Sequence, residues 1–288
     1  MTAPLALPPG ACDSHLHVFG PYETFPLAVE RSYEPPYAPF ERLIGMLDAH
    51  RLDRAVLVQP SAYGADHSAL LDALRGAPQR LRGIAVLQPQ DAQALSDDAL
   101  DAMHAAGVRG LRFTDASAAA FKGNVGIEAL PALAARMRQR GWHAQVWMGC
   151  RALLEAMPLL QAAQLPVVVD HMGRFDAQAG INGADFVELC AALADGGAQG
   201  WLWVKLSVCR ATPDFPDHAQ ARPFHDALVR ANADRVLWAS DWPHIRMAEK
   251  TPDVGHLLHL LSQWLDDAAL QQHILVDNPA LLYDFPAA

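Results

Sequence analysis

Eight short apolar runs alternate with helix-length segments along this chain of 288 residues, and that alternation constrains the fold more than any other feature. The runs are 11–19, 54–60, 81–87, 108–114, 142–148, 166–173, 201–207 and 235–243. Several have unbroken apolar centres, such as Ala55-Val56-Leu57-Val58 and Val167-Val168-Val169. A strand covered on both faces reads this way, as a parallel strand beneath helices does. Between the runs, 40–50 carries Phe40, Leu43, Ile44 and Leu47 at helical spacing, and 127–140, 151–164, 184–195 and 223–231 read similarly. Segment 253–270 has Val254, Leu257, Leu258, Leu261 and Trp264 as its stripe. Eight β-α alternations in this length predict a single (β/α)8 TIM barrel over 1–288, with 1–10 as a loose N-terminal tail. The competing architecture is an open doubly wound sheet, but no G-x-G-x-x-G follows the first run.

Composition narrows the function classes. Hydrophobic residues at 51% against 19% charged supply a sizeable core and argue against disorder. A net charge of -10 without a basic run argues against nucleic acid or an anionic membrane surface as partner. A small anionic substrate stays compatible, because a few arginines can cluster inside an acidic protein. Cys12, Cys150, Cys190 and Cys209 show no C-x-x-C spacing and read as reduced thiols. With no signal-like start and no apolar run of membrane-spanning length, a cytoplasmic protein is expected.

In a barrel of this kind the active site forms at the C-terminal strand ends. The runs turn polar there: His15 and His17, then Gln59-Pro60-Ser61, Gln88, Arg112, Trp147-Met148, Asp170-His171, Lys205-Leu206-Ser207 with Arg210, and Ser240-Asp241-Trp242-Pro243-His244. An apolar strand that turns polar only at its end is costly to explain as packing. His15 and His17 alternate on one strand, so both imidazoles face one side, where they can bind a divalent metal or polarise a substrate oxygen. Bland roles stay open for each residue. Asp241 suits a helix N-cap, His171 can bond Asp170, and Arg112 and Arg210 can be surface ion-pair residues. Tyr33 and Ser61 are individually weak signals, and Arg109 reads as structural. Cys209 lacks an evident base, and Trp201, Trp203 and Trp238 read as core. The Pro-rich stretch 20–39 is expected to lie over the barrel mouth.

Taken in order, Cys-Asp-Ser-His-Leu-His on run one, Val-Gln-Pro-Ser, Gly-Leu-Arg-Phe, Asp-His-Met-Gly, Lys-Leu-Ser, Ala-Ser-Asp-Trp-Pro-His and Asp277-Asn278-Pro279-Ala280-Leu281-Leu282-Tyr283 resemble the amidohydrolase superfamily. The resemblance covers nearly the whole chain and is strongest to its lactonase-like branch, the 2-pyrone-4,6-dicarboxylate lactonases. It implies water attack on the ring ester of a carboxylated lactone, without a metal or other cofactor. It further implies Asp241 as general base, with His15, His17 and His171 orienting and polarising the carbonyl. Arg112 and Arg210 would hold substrate carboxylates, with Tyr33, Ser61, Trp147 and His244 around the ligand. The partner implied is that small molecule, with self-association of the chain left open.

Two departures from the pattern bear on the chemistry. Metal-dependent relatives add a histidine from strand five, whereas run five here ends Trp147-Met148 and its histidine, His143, lies at the opposite end. A metal site of His15, His17, His171 and Asp241 stays conceivable and would suit zinc or manganese. Such a metal-dependent decarboxylase or hydrolase, and a sugar-acid lactone isomerase, are the alternatives within enzymes. The second departure is that the basic residues expected soon after Arg112 are missing, Lys122 being the first cation.

Overall fold

The computed structural model describes residues 6–88, 94–115 and 125–286. Eight parallel strands form one sheet in sequential order: β1 Cys12–Leu16, β2 Arg54–Val58, β3 Leu81–Val86, β4 Val108–Thr114, β5 His143–Trp147, β6 Val167–Val169, β7 Leu202–Leu206 and β8 Val236–Trp238. The barrel closes between β1 and the chain just beyond β8. Leu16 bridges Trp242, Asp241 N donates to the His15 carbonyl at 3.0 Å and His17 N donates to the Trp242 carbonyl at 2.9 Å. Asp13 Oδ1 reinforces the seam, accepting from Ser240 N at 3.0 Å and His15 N at 3.2 Å. The predicted barrel is therefore the observed one.

Helices lie between the strands: α1 Phe40–Ala49, α2 Ser68–Gly76, α3 Asp97–Ala105, α4 Leu130–Gln139, α5 Cys150–Ala162, α6 Ala184–Ala194 and α7 Arg222–Ala231. After β8 come α8 Val254–Trp264, α9 Ala268–Gln272 and α10 Asn278–Tyr283. The segment expected as one helix over 253–270 is two. Leu265 leaves helical geometry, and the Asp267 carboxylate caps a fresh start by accepting from Ala269 N at 2.8 Å. None of these helices is long and apolar enough to cross a membrane. Residues 1–5 of the expected tail lie outside the described residues, and Gly10 N donates to Asp53 at 2.6 Å.

The period of two sorts the strand side chains. Ala55 and Leu57 face the helices, while Val56 and Val58 point into the barrel with Cys12, Ile84, Val168, Trp203 and Leu237. The C-terminal Leu282, Tyr283 and Phe285 pack onto that inner cluster, with the Tyr283 ring 5.3 Å from that of His143. Gly110 makes room there, since a Cβ would sit 2.7 Å from the His143 carbonyl oxygen. In β1 the register shifts between Asp13 and Leu16, a bulge that re-aims the side chains beyond it. Cys12 therefore faces inward, and His15 and His17 also face inward although they lie at odd spacing from it.

Candidate active site

Above the apolar layer, the interior turns to charge. Arg112 from β4, Gln145 from β5, Asp170 at the end of β6, Lys205 from β7 and His15 from β1 form one buried network, each no more than 5% exposed. Asp170 is its hub. One carboxylate oxygen accepts from Arg112 Nε at 2.9 Å, Arg112 Nη2 at 2.8 Å and Gln145 Nε2 at 3.2 Å. The other lies 3.1 Å from His15 Nδ1 and 3.5 Å from Lys205 Nζ. Lys205 also donates to Gln145 Oε1 at 2.7 Å and lies 3.3 Å from His15 Nδ1. Burial alone would raise the Asp170 carboxyl, but Arg112, His15 and Lys205 outweigh it and hold it well below the usual carboxylate range. Burial pulls Lys205 down to about 8 despite the Asp170 charge. Asp170, Gln145 and Lys205 were not assigned roles from sequence, although an uncharged amide and an ammonium inside apolar strands were the available signal.

Asp241 stands at the seam with φ +63°, a left-handed conformation that costs a non-glycine residue energy and clusters at functional sites. It caps no helix through its side chain. One oxygen is held by Arg210 Nε, and the other faces His15 Nε2 at 3.6 Å and His17 Nε2 at 3.4 Å. Burial would raise this carboxyl too, yet Arg210, with His171 and the strand-one pair, holds it well below its usual range. Asp241 is thus a buried anion at neutral pH.

Hydrogen-bond partners decide what each imidazole can do. His17 Nδ1 lies 2.7 Å from the Val58 carbonyl oxygen, which only accepts, so the proton of the neutral ring sits on Nδ1 and Nε2 carries a lone pair. His15 Nδ1 donates a hydrogen bond to the nearer Asp170 oxygen, which as a carboxylate only accepts, and its buried Nε2 has no hydrogen-bond partner. His171 keeps Nδ1 buried and unpartnered, so its ring proton is not claimed by the protein. Its ring centre lies 4.8 Å from that of His15. Burial pushes His171 down to about 4 against the pull of Asp241, and pushes His15 well below the ordinary histidine value.

A cavity of about 260 Å³ opens over these groups, lined by His17, Tyr33, Pro60, Ser61, Arg112, Trp147, His171, Arg174, Arg210, Asp241, Ile245 and Arg246. Of the residues named from sequence, His15 lies beneath it, fully buried. His244 lines a neighbouring surface groove, buried at 4% exposure and still within reach of the Asp241 charge. Tyr33 brings the 20–39 segment over the mouth, as expected of it. Arg112 and Arg210 are not surface ion-pair residues, since both already grip buried carboxylates. Arg174 and Arg246 were missed because they sit on loops beyond the strands. Cys209 is buried with its thiol donating to the Ser240 carbonyl at 3.4 Å, and Arg109 pairs with Asp284 at 3.1 Å, outside the site. Lys122 lies outside the described residues.

The neutral histidines predict a pH effect on stability. His171 and His244 each stay deprotonated down to about 4, while the unfolded chain takes up protons near the ordinary 6.5. Across that window the unfolded state binds more protons, so stability falls as pH drops. The urea midpoint is expected to be lower at pH 5 than at pH 7. An unchanged midpoint would contradict this account of the buried rings.

His15 Nε2, His17 Nε2 and one Asp241 oxygen lie within 4.8 Å of one another and all present lone pairs. That donor set fits a divalent cation of the zinc type. No strand-five histidine joins it, since His143 lies below against Tyr283.

The comparisons with known proteins agree with the barrel fold. The amidohydrolase family pattern matches residues 12–285. A 4-sulfomuconolactone hydrolase of Rhizobium radiobacter is 35% identical over 96% of this chain and 91% of its own length. A 2-pyrone-4,6-dicarboxylate hydrolase of Comamonas testosteroni is 34% identical over the same shares. A solved Pseudomonas putida structure, 32% identical, superposes with a TM-score of 0.80 over 98% of this chain and 100% of that one. With the barrel fold and these relatives in agreement, the chain belongs to the amidohydrolase family of hydrolytic enzymes.

Proposed function

We propose that this chain hydrolyses a carboxylated lactone of the 2-pyrone-4,6-dicarboxylate kind, with Asp241 as the base. The observation that carries the reading is Asp241 itself, an ionised carboxylate on the cavity wall beside three imidazoles and a guanidinium. Asp241 takes a proton from water as the oxygen attacks the ring carbonyl carbon. The carbonyl oxygen becomes an oxyanion, for which His171 is the imidazole with a ring proton to donate. Collapse breaks the ring C–O bond, and Asp241 returns its proton to the departing oxygen. His15 and His17 orient the attacking water, which donates to their Nε2 lone pairs. Tyr33, Ser61 and Trp147 enclose the ring. The names of the relatives support a lactone as substrate, since both describe hydrolases of lactone esters.

The converging lone pairs favour a second reading, in which His15, His17 and Asp241 hold a divalent metal. Such an ion would supply Lewis acidity toward the carbonyl oxygen. Turnover of a carboxylated lactone before and after exhaustive chelation separates the two. The metal-free reading predicts unchanged kcat. Loss of activity that zinc or manganese restores would move the site to the second reading.

A further inference from the structure

Beside the strand-end site lies a second and larger cavity, of about 510 Å³ against about 260 Å³. Its walls come from residues 209–218, between β7 and α7, and from residues 246–250, between β8 and α8. Most of the lining is apolar. Pro213, Phe215, Met247 and Ala248 face it, and the thiol of Cys209 is already committed to the Ser240 carbonyl. Phe215 remains 42% exposed, so its ring is apolar surface that a flat ligand would take out of water. The His218 ring meets it edge-on, with centroids 6.2 Å apart. Burial pulls His218 below the ordinary histidine value, so this imidazole is a neutral part of the wall.

The charges on the lining are few and uncommitted. Arg246, Glu249 and Lys250 line the cavity, and among the described residues none of the three forms an ion pair. Lys250 Nζ donates to the Pro213 carbonyl at 3.4 Å, which ties the two loops together across the cavity. Arg246 donates one nitrogen to the Ser32 carbonyl at 2.6 Å and lays its face 5.3 Å over Tyr33. Both cations keep N–H donors for a ligand. Two positive charges against one negative suit a single carboxylate. The strand-end cavity differs, since Arg112, Arg174, Arg210 and Arg246 line it with Asp241 as the carboxylate.

We infer that the outer cavity is a second small-molecule site and that it takes an aromatic monocarboxylate. The ring packs against Phe215, Pro213 and Met247, and the carboxylate accepts from Lys250 and Arg246. A dianion is disfavoured, because its second charge would meet Glu249 or apolar wall. A ring is preferred to an aliphatic chain because Phe215 and His218 offer aromatic surfaces to stack on. Arg246 lines both cavities, so the two sites share one wall. None of this depends on the chemistry proposed for Asp241.

Calorimetric titration with naphthalene-2-carboxylate, naphthalene-2,6-dicarboxylate and octanoate provides the test. The set compares one charge with two on the same ring, and a ring with a chain. The wild type is expected to bind naphthalene-2-carboxylate more tightly than either of the others. Lys250→Met and Phe215→Ala, both at exposed loop positions, should each weaken that ligand by about 10-fold, the scale of one charge-assisted hydrogen bond or one aromatic contact. Both variants should keep the wild-type urea midpoint and wild-type lactone turnover. A wild type that does not bind naphthalene-2-carboxylate, or binds the dianion or octanoate as tightly, overturns the inference. So does wild-type affinity in either variant, which would place the ligand elsewhere. Absence of lactone turnover in every preparation would count against the hydrolytic reading alone.

Discussion

Asp241→Asn is expected to lower kcat for a carboxylated lactone by about a thousandfold, within the range general bases contribute, while ligand affinity changes little. Asn is the informative replacement because it tolerates the left-handed backbone that Asp241 adopts at φ +63°. It also keeps the volume beside Arg210 and the strand-one imidazoles while removing the proton acceptor. A larger or β-branched residue would confound lost chemistry with a distorted seam, since Asp241 N donates to the His15 carbonyl at 3.0 Å. Single-turnover kinetics with a separate binding titration resolve the two terms. Near-normal kcat would remove Asp241 as the base.

Asp170→Asn is expected to destabilise the fold by about 3–5 kcal/mol, the cost of stripping the partner from buried charges. Asp170 is the anion between buried Arg112 and buried Lys205, and it also accepts a hydrogen bond from His15 Nδ1. Asn matches its shape but turns an amide donor toward groups that only donate. Urea unfolding monitored by tryptophan fluorescence measures the change. A loss below about 1 kcal/mol would mean that the two cations find other partners within the barrel. Activity should fall as well, because His15 loses the acceptor that fixes its tautomer.

The two variants separate what the sequence reveals from what it hides. Strands such as Val56–Val58 within β2 are legible because parallel strands under helices leave continuous apolar runs. His15, His17, His171 and Asp241 are legible because polarity at a strand end has no packing explanation. The helices α2 and α3 are harder to see. In α3, Asp97–Ala105, only Leu100 and Met103 are buried, too few for a periodic stripe. The Asp170 hub is hidden for another reason. Gln145, Lys205 and Arg112 lie far apart in sequence, and only strand register brings them into one layer. Arg174 is hidden because its place depends on a backbone turn of unfavoured hand, which residue type does not announce. Its neighbour His171 owes its position to the same turn.

Nucleophilic water is the central claim, and isotope labelling tests it most directly. Purified protein turning over a carboxylated lactone in 18O-enriched water is predicted to place one labelled oxygen in each newly formed carboxylate. A ring-opened product without label, or an isomeric lactone formed without water uptake, would contradict hydrolysis at Asp241.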